Sequence, residues 1–129
     1  MKKKEASQDS LIEAWMRYFL KTHKSCVIEA KHSRGKDSIA YNSLEEHQPL
    51  FLRSAQDDVF VWKIDDVGYR QKPFDFIGVS GAYSFIAVRF PKFIAIISLD
   101  IWEFEQRKKE RKSITSTRAR DISFDVIEI

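Results

Sequence analysis

Glu29 and Lys31 are the residues of this chain whose types and spacing could do chemistry. They end the apolar run Cys26-Val27-Ile28-Glu29-Ala30-Lys31-His32. In a strand, side chains two apart share a face, so carboxylate and ammonium would stand together while Ile28 and Ala30 face the other way. Such a carboxylate offers hard oxygen to a divalent cation, and the ammonium beside it can stabilise charge on a phosphate. The same pair also suits an ordinary, weakly stabilising surface contact. A second acid-x-Lys, Glu110-Arg111-Lys112, lies in a run of charges without apolar flanks and reads as a solvated face. Context has to separate the two.

The elements that would position this pair follow from apolar spacing. Residues 1–9 read as a flexible basic tail, after which Asp9 or Ser10 can cap a helix. Leu11, Ile12, Trp15, Met16, Phe19 and Leu20 recur at helical spacing, with Glu13 in the expected first turn. Cys26 to His32 then forms the strand, and Ser33 to Ser38 a polar basic loop around Gly35. Asn42 or Ser43 opens a second helix, Ser43 and Glu46 having capping-box spacing, with Pro49 an awkward interior residue. Val59 to Ile64 has strand character, and Asp65 to Lys72 is a charged loop. Phe74 to Val79 and Ala82 to Phe90 flank Ser80-Gly81 as a hairpin. Pro91-Lys92 precedes a buried strand at Phe93 to Ser98. Leu99 to Arg111 reads as a helix, Thr115 caps a short last helix through Arg120, and Ser123 to Ile129 is a strand or tail. No repeat or linker divides the chain, so one α/β domain over residues 1–129, a mixed sheet flanked by helices, is expected.

Composition narrows the classes. A chain of 129 residues with 43% hydrophobic content, ten Phe and three Trp can build one core. The net charge of +3 is concentrated at Lys2 to Lys4, at Arg34 and Lys36, and between Arg107 and Arg120. Such clusters suit a polyanion through counterion release, and equally serve solubility. The single Cys26 excludes an internal disulfide, fits a reducing compartment and reads as packed. Met1 to Ser10 has no signal-peptide pattern. The longest apolar region, Phe85 to Leu99, is broken by Arg89, Pro91 and Lys92, so no membrane span is expected. A cytoplasmic protein is the expectation. Zinc spacing, a Gly-rich phosphate loop and a Gly-x-Ser-x-Gly elbow are all missing.

Three pieces now stand in order: Glu29-Ala30-Lys31, then Glu46-His47-Gln48, then Lys72-Pro73-Phe74-Asp75-Phe76-Ile77-Gly78. Together with Glu13 in the first helix they resemble the PD-(D/E)xK nuclease superfamily. Within it they are most similar to Holliday-junction resolvases of the RecU and archaeal Hjc kind, especially small phage-encoded versions. The resemblance spans roughly Leu11 to Leu99. It implies a restriction-endonuclease-like fold and a metal-dependent endonuclease that hydrolyses phosphodiesters in branched DNA as a homodimer. It departs from the family pattern in one respect: the metal-binding Asp hairpin follows the Glu-x-Lys strand instead of preceding it. Asp75 would complete the site if its strand lies beside that of Glu29; otherwise the second acid is missing and a DNA-binding or assembly protein remains.

The implied site is specific. Asp75, Glu29, the Ala30 carbonyl and Glu13 would hold Mg²⁺ (or Mn²⁺), and Lys31 would orient the attacking water or stabilise the transition state. Gln48 would position the substrate backbone. Arg34, Lys36, His47, Lys72, Arg107, Lys108, Lys109, Arg111, Lys112, Arg118 and Arg120 would grip phosphates with little base readout. Trp62, Phe85 and Trp102 are candidates either for the core or for a dimer interface.

Overall fold

The computed structural model describes residues 7–23, 25–45, 47–57, 60–63, 76–79, 81–108 and 111–129. Along the chain come α1 (Gln8–Thr22), β1 (Cys26–His32), β2 (Ser38–Ala40), a 3₁₀ turn (Tyr41–Ser43) and α2 (His47–Asp57). There follow β3 (Phe60–Lys63), β4 (Phe76–Val79), β5 (Tyr83–Phe90), β6 (Phe93–Ser98), α3 (Leu99–Arg107), β7 (Ser113–Thr115), α4 (Ser116–Ile122) and β8 (Asp125–Glu128). The central sheet has the order β1-β5-β6-β8. Within it β1 and β5 are parallel, and the other pairs are antiparallel. Two small antiparallel pairs, β2-β7 and β3-β4, complete the strands.

The strand period of two divides the central strands between two apolar clusters. Ile86, Val88, Ala95 and Ile97 face Leu52 of α2, Leu99 and Trp102 of α3 and Ala119 of α4. Phe85, Ala87, Ile94 and Ile96 face Ile12 and Phe19 of α1, with Trp15 and Met16 packed alongside. Because both faces are covered, β5 and β6 read as nearly unbroken apolar runs. The α/β class with a mixed sheet between helices is therefore as expected. Phe85 and Trp102 belong to this core, at 1% and 0% exposure, and not to an interface.

Several boundaries differ from the sequence reading for local reasons. Ser7, not Asp9 or Ser10, caps α1: its hydroxyl accepts from the Ser10 N–H, so the helix begins inside the expected tail and Glu13 falls in the second turn. Helix α2 begins at His47, not at Ser43, which places Pro49 in the first turn, where its missing N–H has no helical partner to lose. Among the described residues, the strands on either side of Ser80-Gly81 do not pair with each other as the expected hairpin would. Strand β4 pairs with β3, while β5, apolar on both faces, takes β1 and β6 as neighbours. The hairpin lies one strand later, where Phe90 and Phe93 pair across Pro91-Lys92. Helix α3 stops at Arg107, short of the expected Arg111. Thr115 does cap α4, accepting from the Arg118 N–H, and the C-terminal residues do form a strand.

Among the described residues no helix is long and apolar enough to cross a membrane.

Candidate active site at the end of β1

Val27 joins the apolar cluster under α2, and Ile28 joins the one under α1. Alternation then places Glu29 and Lys31 on the α2 side and Ala30 on the α1 side. This is the arrangement read from the sequence, and α2 supplies a third member. Gln48 Nε2 donates to Glu29 Oε1 at 2.7 Å, while Gln48 Oε1 accepts from the Glu45 N–H at 2.8 Å. The second bond meets a backbone donor ahead of the helix, as capping-box side chains do, and it fixes which amide atom faces β1. Lys31 Nζ lies 3.9 Å from the same Glu29 Oε1. Both contacts fall on Oε1, so Oε2 has no partner among the described residues. The Lys31 side chain is 18% exposed and that of Glu29 31%, so the pair is half-buried and its attraction less screened than at a surface.

The backbone under Lys31 is also held. Gln8 Nε2 donates to the Lys31 carbonyl at 3.0 Å, tying the first residue of α1 to the end of β1. Beyond β1 the chain turns through Arg34 at φ 56° and Gly35 at φ 79°. The left-handed Arg34 is unusual for a residue with a Cβ, and its N–H donates to His32 Nδ1 at 2.7 Å. Arg34 and Lys36 are exposed in this loop, directly after the site strand.

Other expected members are placed elsewhere. Glu13 lies on α1, which covers the opposite face of the sheet, and its carboxylate accepts from Arg17 at 2.6 Å in the exposed i,i+4 pair. The structure does not bring it to Glu29, because the helix presents Ile12 and Phe19 inward and Glu13 to solvent. Asp75, Lys72 and Lys109 lie outside the described residues. The strand that Asp75 precedes, β4, is hydrogen-bonded to β3, whereas the described neighbour of β1 is β5. His47 is exposed, with Nδ1 3.7 Å from Glu45 Oε2. Among the described residues no three His, Cys, Asp or Glu side chains converge as a metal cluster.

The C-terminal basic residues divide in two. Arg107, Arg111 and Lys112 are exposed. Arg118, Arg120 and Lys108 hold internal partners. Arg120 pairs with Glu128 of β8 and lies over the Phe93 ring, 4.1 Å from its centroid. Glu105 is buried in α3, where it accepts from Arg118 Nε at 3.2 Å, from another Arg118 nitrogen at 2.8 Å and from Lys108 at 3.1 Å. The Arg118 hydrogen bonds hold the Glu105 carboxyl below its ordinary range, against the opposing effect of burial, with Lys108 assisting.

Sequence reasoning missed Gln8 and Glu105. A polar first-turn residue gives no hint that it reaches a strand 23 positions away. The three-residue spacing of Glu105 and Lys108 does suggest their pairing, but nothing local points to Arg118. No family model, curated protein or solved structure matches the chain.

Proposed function

We propose that this chain is a metal-dependent, structure-selective DNA endonuclease, acting on four-way junctions as a homodimer. The observation that carries the reading is the convergence of Glu29, Lys31 and Gln48 from β1 and α2. The donor set suits a hard cation: Glu29 Oε2 has no partner among the described residues, and Mg²⁺ binds through one or two carboxylates with waters and substrate oxygens. Glu29, the Ala30 carbonyl and Asp75 are the residues that would hold it. When bound, it would lower the pKa of a coordinated water and offset phosphate charge.

The chain's own residues have distinct parts in this reading. Gln48 holds the Glu29 carboxylate in one orientation through Oε1. Lys31, half-buried beside it, places an ammonium where a phosphate oxygen gains charge and where little bulk water competes. Arg34 and Lys36 extend positive charge along the DNA backbone, and two copies related by a two-fold axis would cut symmetric strands.

Purified protein with Mg²⁺ or Mn²⁺ is expected to cut a mobile four-way junction. Glu29→Gln, Lys31→Met and Asp75→Ala should each abolish cutting while sparing binding; if Glu29→Gln and Asp75→Ala both cut like the parent, the site is elsewhere. A second reading, a nuclease-fold DNA-binding or assembly protein without catalysis, is favoured by one observation: Glu29 is the one carboxylate at the described site. Salt-sensitive junction binding without cleavage of junction, flap or single-stranded DNA selects it.

A further inference from the structure

Strand β1 ends the β1-β5-β6-β8 order, so one of its two sides is a sheet edge. The ladder to β5 fixes which backbone groups lie there. Tyr83 N–H donates to Ser25 O and Ser33 N–H donates to Arg89 O, both at 2.9 Å. The odd-numbered residues of β1 therefore turn their backbone groups to β5. The N–H and C=O of Cys26, Ile28, Ala30 and His32 point the other way, and no hydrogen bond meets them among the described residues. An edge of this kind templates a further strand unless something blunts it. The opposite edge is blunted: β8 has four residues, its Val126 N–H donates to the Asp125 carboxylate at 2.8 Å, and Glu128 is paired with Arg120. Strand β1 has seven residues in unbroken register and no proline, and Ala30 and His32 are exposed along it.

The two charges of β1 say what fits this edge. An antiparallel strand added here must set outward-turned residues against outward-turned residues, which leaves a second copy of β1 few registers. Centring the pair on Glu29 or on Lys31 puts that residue against itself, and like charges directly opposite are destabilising. Centring it on Ala30 puts Glu29 against Lys31 of the second copy, and Lys31 against the second Glu29. Registers centred elsewhere leave both charges without a charged residue opposite in the strand. In the Ala30 register the charged pairs occupy non-hydrogen-bonded positions, where facing side chains lie closest. Glu29 Oε2, without a partner among the described residues, is then available to the ammonium across from it. Ala30, small and exposed, meets its own copy on the axis, and Ile28 meets His32. The edge is complementary to itself in one register.

We infer that two copies of this chain pair β1 to β1, antiparallel about Ala30, joining their central sheets into one. A two-fold axis normal to the sheet keeps both α2 helices on one face and both α1 helices on the other. The two Glu29-Lys31 pairs then lie side by side on the α2 face, and each Glu29 has Lys31 of the other copy across from it. Each copy thus supplies a residue to the other's site. The inference deepens the proposed homodimer, resting on that reading for the two-copy assembly alone; it requires neither metal nor cutting.

Analytical sedimentation of the full chain, without DNA or metal, tests this. The parent should dimerise reversibly at concentrations up to roughly 100 µM. Ala30→Pro removes one outward N–H and no bond to β5, at a position where edge strands accept proline. It should keep the parent's circular dichroism and weaken the dimer by roughly tenfold or more. Glu29→Lys and Lys31→Glu each bring like charges face to face in a self-pair, so each alone should also weaken the dimer roughly tenfold. Mixed in equal amounts, the two variants set opposite charges across both positions and should pair with each other about as tightly as the parent does with itself. A charge effect confined to one chain predicts no such rescue. A parent that stays monomeric, leaving the edge to a strand of another protein, would overturn the inference. So would an Ala30→Pro dimer as tight as the parent's, or a mixture no tighter than its components. A dimer that pairs in this way yet cuts no junction supports the inference and sinks the catalytic reading.

Discussion

Gln48 meets Glu29 through a single oxygen, and the consequence can be measured. Gln48→Ala removes the donor that fixes the carboxylate, while Gln48→Glu replaces it with a like charge. Supporting groups of this kind change metal affinity or activity by roughly 10–100-fold, so Gln48→Ala should reduce cutting and raise the Mg²⁺ concentration needed, with Gln48→Glu worse. Comparable loss at saturating Mg²⁺, with no change in the metal dependence, would rule out this positioning role. Glu105 gives a prediction of opposite kind, in stability. Its folded-state carboxyl titrates below the unfolded one, so its contribution is present above the unfolded pKa and is lost as pH falls through the folded value. Urea melts should show Glu105→Gln destabilised by about 2 kcal/mol at pH 7, with the gap from the parent narrowing in acid. Cys26, half-buried, has its thiol pushed up by burial, which keeps thiolate scarce at neutral pH. Its alkylation by iodoacetamide should be several-fold slower than that of a free thiol at pH 7, with the rate still climbing at high pH.

Helix α2 shows how an element delivers a side chain. Its C-terminal carbonyls are met by the start of β5: Ala82 N–H donates to Ala55 O at 3.1 Å, and the buried Ser84 hydroxyl donates to Leu52 O at 2.6 Å. Leu52, 1% exposed, anchors the same helix in the core. Leu52→Ala should cost about 2–5 kcal/mol in chemical denaturation and should loosen Gln48 as well, so any activity loss should exceed that expected from the unfolded fraction. The spacing of apolar residues was enough to read α1, β1, β6 and the shared face of Glu29 and Lys31, and the cap Thr115 to read α4, because those patterns are local. It was not enough for β2 and β7, three residues each, whose pairing joins positions 38–40 to 113–115. Nor did Ser80-Gly81 disclose its strand's partner. A turn signal names a change of direction, whereas sheet neighbours are chosen by which faces are apolar and which strands remain unpaired.

At the scale of the molecule, the layers explain why the first helix could not serve the site as the sequence suggested. The α1 layer lies beneath the sheet, and the chemistry-bearing face of β1 is turned toward α2. Helical spacing already turns Glu13 to solvent, and the stacking of layers, which no one-dimensional pattern records, puts the whole helix on the far side of the sheet from Glu29. The parallel pairing of β1 with β5 has a further consequence, for the order in which the chain folds. Phe90 and Phe93 meet across two residues, so the β5-β6 hairpin can close within microseconds. Cys26 and Tyr83 are paired across 57 positions (83 minus 26), and that closure costs chain entropy before any contact repays it. The strand bearing Glu29 and Lys31 should therefore join a sheet whose centre already exists, and detach from it first. Native-state hydrogen exchange should find the amides of Ile28 to Lys31 opening at lower free energy than those of Ile86 to Val88 and Ile94 to Ile97. Equal protection across all three strands would mean that the sheet opens only as a whole.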